Sequence, residues 1–216
     1  MSKFVILLGG DLVRTPRLDA ALSGARVIAA DSGIRHATAL GVTPELWIGD
    51  FDSIGGIDVE PHVDVPRDVY PPEKDSTDGE LAADAALVRG ATSLVLAGAF
   101  GGPRADHAFL HMTAAIRLAE SGMPVLLTSG LEEGMPLMPG QRGYDYADGT
   151  MFSILAFSPL SGLSVEGAKW PLDAVAIAFG SSLIMSNEVR GKLRITLRAG
   201  RALLLARPET HLPSAG

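Results

Sequence analysis

The chain opens on an apolar run, Phe4–Leu8, closed by Gly9-Gly10. Runs of the same kind recur at Val27–Ala30, Leu46–Ile48, Leu94–Ala97 and Val125–Thr128. Each is short, without polar alternation, and ends at Asp, Gly or Ser, the pattern of strands covered on both faces. Helical periods lie between them. Ser32 is placed to cap a short helix with Ile34, Ala37 and Leu40 on one face and Gly41 as its stop. Thr77 and Glu80 have capping-box spacing, with the Thr oxygen accepting an amide and the Glu reaching back. That helix carries Leu81, Ala85 and Val88 on one face and ends at Gly90. Another runs from about Asp106 to Glu120, with Leu110, Ala114 and Leu118 aligned, and closes at Gly122 and Pro124. Alternating strands and helices predict a mainly parallel sheet with helices on its faces over residues 1–130.

The pattern changes after residue 130. Leu131–Gln141, rich in Gly, Pro and Met, reads as a connector. Beyond it no long helical period remains. Met151–Phe157, Leu163–Glu166, Val175–Ala178, Leu193–Leu197 and Ala202–Ala206 read as short strands between Gly, Pro and Ser breaks. Leu193, Ile195 and Leu197 alternate with Arg194, Thr196 and Arg198, a period of two with one buried face. Residues 142–216 are therefore expected to form a small β-sandwich.

Composition narrows the function classes. Nearly half of the 216 residues are apolar, enough for a proper core, and there is no cysteine to form a disulfide or a thiolate metal site. The net charge is −7 and no Lys/Arg run occurs, so a nucleic-acid partner is not expected. The N-terminal apolar run is too short to span a bilayer and Asp11 follows it, so a soluble, cytoplasmic protein without a membrane partner is expected.

Chemistry concentrates in three acidic clusters where strand-like runs end or helices begin. They are Asp31, the pair Asp50 and Asp52 in Gly-Asp-Phe-Asp-Ser, and Asp75 and Asp78 in Lys-Asp-Ser-Thr-Asp. Strand ends are where open α/β sheets build ligand sites. Gathered carboxylates need a cation, and a hard divalent ion such as Mg²⁺ carrying phosphates is the usual one. In extended backbone Asp50 and Asp52 share a face and can serve one cation. Each cluster also has a plainer use, as a turn, a helix cap or a dipole partner. Gly98–Gly102 followed by Arg104, Asp106 and His107 offers amides and a guanidinium to phosphate oxygens. It is not a Walker loop. His107 and His111 have zinc spacing, but Ala108 stands where a metalloprotease would need Glu.

Together these pieces resemble the thiamine pyrophosphokinase (thiamine diphosphokinase) family. The resemblance rests on Ala30-Asp31-Ser32-Gly33, Ile48–Ser53, Lys74–Asp78, Arg104–His107 and Ser186-Asn187-Glu188, in order across nearly the whole chain. It implies a Rossmann-like three-layer α/β domain at 1–130 that binds ATP and Mg²⁺. It also implies a β-sandwich at 142–216 for thiamine binding and dimerisation. The implied reaction moves the diphosphoryl group of ATP to the hydroxyl of thiamine, leaving AMP. By resemblance Asp31, Asp50, Asp52 and Asp78 hold the metal, with Asp50, Asp52, Asp78 and Thr77 catalytic. Asp31, Lys74, Thr77, Arg104, Asp106 and His107 bind ATP, while Asp78, Ser186, Asn187 and Trp170 bind thiamine. Trp170 also suits core or interface packing. The family implies a homodimer with a shared active site. Ser32, Pro103 and His111 depart from the family pattern, and Pro103 removes an amide from the glycine loop. A diphosphokinase for another alcohol, such as a hydroxymethylpterin, would keep the same acidic centre. A nucleotide or thiamine-phosphate sensor would be expected to lose an aspartate. A metal-dependent sugar transferase would use Asp50 and Asp52 but leave the other motifs unexplained.

Overall fold

The computed structural model describes residues 2–52, 54–71, 73 and 75–208. It divides into two compact units, Met1–Gly130 and Leu131–Gly216.

In the first unit six strands form an all-parallel sheet. They are β1 (Ser2–Leu7), β2 (Arg26–Ala30), β3 (Leu46–Gly49), β4 (Arg67–Val69), β5 (Ala91–Ala97) and β6 (Val125–Thr128). The order is β6-β5-β1-β2-β3-β4. The chain winds outward from β1 to β4, then returns to the other side of β1 to lay down β5 and β6. The order therefore reverses at β1/β5, and a crevice opens outside the carboxyl ends of the strands there.

Helices cover both faces. Val5 and Leu7 of β1 pack in one core with Leu18 of α1 (Pro16–Leu22) and Ala37 and Leu40 of α2 (Arg35–Leu40). Phe4 and Ile6, equally buried, point the other way. The helix α3 (Asp78–Val88) packs on β1, β2, β3 and β5, and α4 (Ala105–Glu120) packs on β6.

Two local expectations change. The capping box at Thr77 is present, but α3 buries Ala82, Ala83 and Ala86 instead of Leu81, Ala85 and Val88, and Val88 is 87 % exposed. Small alanines let the helix lie close to the sheet, and that proximity outweighs the larger side chains. Ser32 does not cap α2. Residues Asp31–Ile34 form a 3₁₀ turn with no side-chain cap, and α2 continues directly from it.

The second unit is all β. Its strands are β7 (Glu133–Leu137), β8 (Gly140–Gly143), β9 (Met151–Ala156), β10 (Leu160–Ala168), β11 (Leu172–Ile177), β12 (Asn187–Leu197) and β13 (Ala202–Arg207). All pairings are antiparallel. β7, β13 and β9 form one layer, and β11, β10, β12 and β8 the other. The start of β12 pairs with β9 before the strand crosses to the second layer. Phe152, Ile154 and Leu204 from one layer meet Leu163, Val165, Leu193 and Ile195 from the other in a single core, so the unit is a sandwich. Leu131–Gln141 is not a simple connector, because it contains β7 and the start of β8.

Candidate active site

Asp31 stands at the end of β2 with φ +43°, a left-handed conformation that costs a non-glycine residue about 1–2 kcal/mol. The surroundings hold it there. The indole Nε1 of Trp47 donates to its carbonyl at 2.8 Å. Gly49, at the end of β3, leaves room beside it: a Cβ on Gly49 would sit 3.2 Å from Asp31 Cα. The Asp31 carboxylate is half-buried, and its Oδ1 is buried with no hydrogen-bond partner.

Asp50 follows β3, and Asp78 is the first residue of α3, set by the cap at Thr77. One carboxylate oxygen from each of Asp31, Asp50 and Asp78 lies within 4.8 Å of the others. Burial pushes the Asp31 carboxyl up, and the neighbouring charges of Asp78, Asp50 and Asp52 push it further; a hydrogen bond from the Ser32 amide opposes them. A buried oxygen without a donor, facing two other carboxylates, suits a hard divalent cation, which supplies the missing charge and takes oxygen ligands.

Asp52 is not part of this triad. Phe51 adopts φ +62°, so the backbone is not extended across Asp50–Asp52 and the two side chains do not share a face. Asp52 is exposed, and its amide donates to Asp50 Oδ1 at 3.2 Å, closing a turn that orients Asp50.

The triad opens on a cleft of about 880 Å³ at the β1/β5 switch, lined by Gly9, Asp31, Asp50, Asp78, Gly101 and Arg104 among others. That size lies within the usual range for small-molecule sites. The glycine loops flanking it are knitted to one another. Gly10 N donates to Gly98 O at 3.0 Å, Asp11 N to Phe100 O at 2.9 Å, and Gly102 N to Asp11 Oδ2 at 2.9 Å. The approach requires glycine: a Cβ on Gly10 would lie 2.4 Å from Gly98 O. The amides of Gly98 and Ala99 donate to Thr128 O. These glycines therefore shape the cleft floor, and most of their amides are not available as a phosphate cradle.

The remaining candidates divide by location. Thr77 Oγ1 accepts from Glu80 N and donates to Glu80 Oε2 at 3.1 Å, so its hydroxyl is occupied by the cap. Arg104 binds Asp106 in a fork, at 3.0 and 2.7 Å, on an open surface. That hydrogen bonding holds the Asp106 carboxyl well below the usual carboxylate range. His107 lines the cleft, with its ring edge-on to His111 at 6.3 Å. His111 Nδ1 lies 3.1 Å from Ala99 O, a carbonyl that can only accept, so this nitrogen carries the proton and braces the loop. Lys74 lies outside the described residues.

Trp170, Ser186 and Asn187 belong to the second unit. Asn187 is buried. Its Oδ1 accepts from Trp170 N and Glu188 N, and its Nδ2 donates to Trp170 O at 2.8 Å. Trp170 is 54 % exposed, with Lys169 Nζ 4.8 Å from its ring centroid. Ser186 takes φ +58°, and its amide donates to Ser153 Oγ. Asn187 thus presents Trp170 by holding its backbone.

Sequence reasoning missed Trp47 and Arg35, and read Gly49 only as part of the Ile48–Ser53 stretch. Arg35 is one helical turn beyond Asp31, a spacing that could have drawn attention to it.

The model of the thiamin pyrophosphokinase catalytic domain matches residues 20–127, and that of the thiamin pyrophosphokinase vitamin B1 binding domain matches residues 142–202. This chain belongs to the thiamine pyrophosphokinase family. Thiamine pyrophosphokinase of Bacillus subtilis is 30% identical over 169 residues, spanning 75% of this chain and 77% of that protein. A crystal structure of thiamine pyrophosphokinase from Bacillus subtilis matches with a TM-score of 0.83 at 25% identity, covering 96% of this chain and 100% of that one. Thiamin pyrophosphokinase from Candida albicans shares the fold, with a TM-score of 0.79 at 13% identity over 96% of this chain and 90% of that one. Within the family frame, Asp31, Asp50 and Asp78 fall in the catalytic-domain match. Trp170, Ser186 and Asn187 fall in the vitamin B1 binding match.

Proposed function

We infer that this protein is a thiamine diphosphokinase, transferring the diphosphoryl group of ATP to the hydroxyl of thiamine with release of AMP. The observation that carries the inference is the Asp31/Asp50/Asp78 triad in the cleft at the carboxyl ends of the strands, in a chain matched by both family domains.

In this reading Asp31, Asp50 and Asp78 hold Mg²⁺. An ion held there would supply positive charge against the phosphates and Lewis acidity to the phosphoryl group. The chain's own groups do the positioning. Trp47 and Gly49 fix Asp31, the turn at Asp52 fixes Asp50, and the Thr77 cap fixes Asp78. Asp52 acts through charge and through that turn. Arg104, Asp106, His107 and Lys74 serve the nucleotide, while Trp170, Ser186 and Asn187 serve thiamine. A diphosphoryl transfer needs in-line alignment more than covalent catalysis, so rigid carboxylates suit it. The protein acts in the cytoplasm as a homodimer. The exposed Trp170, Phe179, Leu183 and Met185 of the second unit support such an interface.

A product assay tests the reaction. With ATP and Mg²⁺, thiamine should yield thiamine diphosphate and AMP in equal amounts, while a hydroxymethylpterin should not react. Conversion of the pterin in place of thiamine would move the assignment to the other alcohol.

A further inference from the structure

Arg35 is a cation of the cleft that neither the motifs nor the carboxylate triad account for. It is exposed, lines the same cleft as Asp31 and Gly9, and lies one turn after Asp31. Its Nη2 donates to Gly9 O at 2.6 Å and to Gly10 O at 2.9 Å. Both partners are neutral carbonyls, so the guanidinium is fixed without being neutralised. Its Nε lies 3.4 Å from His36 Nε2. That ring nitrogen also lies 3.0 Å from Gly10 O, and in the tautomer that leaves it unprotonated it accepts from Arg35 Nε. Arg35 therefore keeps its Nη1 donors and its positive charge for a further partner.

The other described arginine lining the cleft is in a different state. Arg104 is committed to Asp106 through two short hydrogen bonds. The loop amides that might have met a phosphate are largely spent within the glycine loops. Recognition of an anion at this wall then falls to a side chain. A planar guanidinium held by one edge, with its Nη1 donors open, matches phosphate oxygens.

We propose that Arg35 binds the phosphate chain of the nucleotide, anchored for that purpose by the Gly9 and Gly10 carbonyls. The proposal rests on the thiamine diphosphokinase reading for the identity of the anion. It makes Arg35 a substrate-binding residue beyond those expected from the family motifs.

The test is nucleotide titration with Mg²⁺ and no thiamine, so that no turnover occurs. ATP, AMP and adenosine are titrated into wild type, Arg35→Gln and Arg35→Lys, with melting curves as the folding control. Loss of a charge-assisted hydrogen bond predicts an ATP affinity about ten- to a hundredfold weaker in Arg35→Gln. AMP should weaken less and adenosine not at all, and Arg35→Lys should retain part of the ATP affinity. The wild-type dependence of ATP binding on salt should be shallower in Arg35→Gln. If Arg35→Gln does not fold, Arg35→Lys carries the test, with ATP weakened and adenosine unchanged. ATP affinity within twofold of wild type would overturn the proposal. So would equal losses for ATP and adenosine, which would mark Arg35 as a brace for the loop only. Wild type that binds ATP but makes no thiamine diphosphate would overturn the functional reading and leave Arg35 as a phosphate ligand. Wild type that binds no ATP would overturn both.

Discussion

The indole N–H of Trp47 donates to the backbone carbonyl of Asp31 at 2.8 Å, and Trp47 has no exposed surface. The ring is packed edge-on to Phe51 at 4.9 Å and covered by the Arg67 guanidinium at 4.6 Å. A buried aromatic from β3 thus fixes the left-handed residue that ends β2, and both strands deliver one carboxylate to the triad.

Trp47→Phe would keep much of the packing and remove the donor. Losing one hydrogen bond to a half-buried carbonyl should cost about 1 kcal/mol of stability. Asp31 would be less firmly held, and Mn²⁺ affinity of the metal-free protein should fall about three- to tenfold, by the same order of energy. Paramagnetic titration of Mn²⁺ checks this. Unchanged affinity with lowered stability would make Trp47 a core residue only.

Gly49→Ala would place a methyl group 3.2 Å from Asp31 Cα and 3.3 Å from its Cβ. Backbone on one side and the packed sheet on the other leave little room to yield. The variant should fold, with kcat/KM reduced at least about tenfold, a barrier rise of about 1.4 kcal/mol. Circular dichroism and steady-state kinetics together test the expectation.

Much of this layout was legible in the sequence because it follows from local rules. The central strands are uninterrupted apolar runs, the Thr77–Glu80 cap is a short-range motif, and Leu193–Arg198 alternates cleanly. What was not legible depended on tertiary context. β4 consists of three exposed residues, Arg67, Asp68 and Val69, at the sheet edge, so it carries no apolar pattern. β7 contains Gly134 and Pro136, which read as connector residues until β13 pairs with them. The same-face reading of Asp50 and Asp52 assumed extended backbone, and the left-handed Phe51 removes that assumption. The link from Trp47 to Asp31 joins neighbouring parallel strands, a pairing that no local window reveals.

Two half-buried histidines brace the cleft loops, His36 at Gly10 O and His111 at Ala99 O. Burial pushes both rings below the ordinary histidine value, and Arg35 lowers His36 further while His107 does so for His111. The unfolded chain takes up these protons at about pH 6.5, whereas the folded protein resists them. Their contribution is thus fully present above that pH and is lost as pH falls towards the lower folded values. The urea midpoint should drop between about pH 7 and 5. His111→Gln should shift the midpoint less over the same interval. An equal shift in that variant would show that other groups cause the loss.

Asn187→Ala would release both hydrogen bonds between its amide and the Trp170 backbone. If that side chain presents Trp170 to thiamine, KM for thiamine should rise about tenfold, equivalent to about 1.4 kcal/mol, with ATP binding unchanged. Kinetics with each substrate varied in turn separates this from general destabilisation, which would impair both.

The most direct measurement is AMP and thiamine diphosphate formation by wild type, Asp31→Asn, Asp50→Asn and Asp78→Asn at matched, folded concentrations with Mg²⁺. Equal yields of the two products in wild type, and a fall of at least about a hundredfold in each variant, are expected from loss of a charged metal ligand. Full activity in any one variant would contradict a three-carboxylate centre.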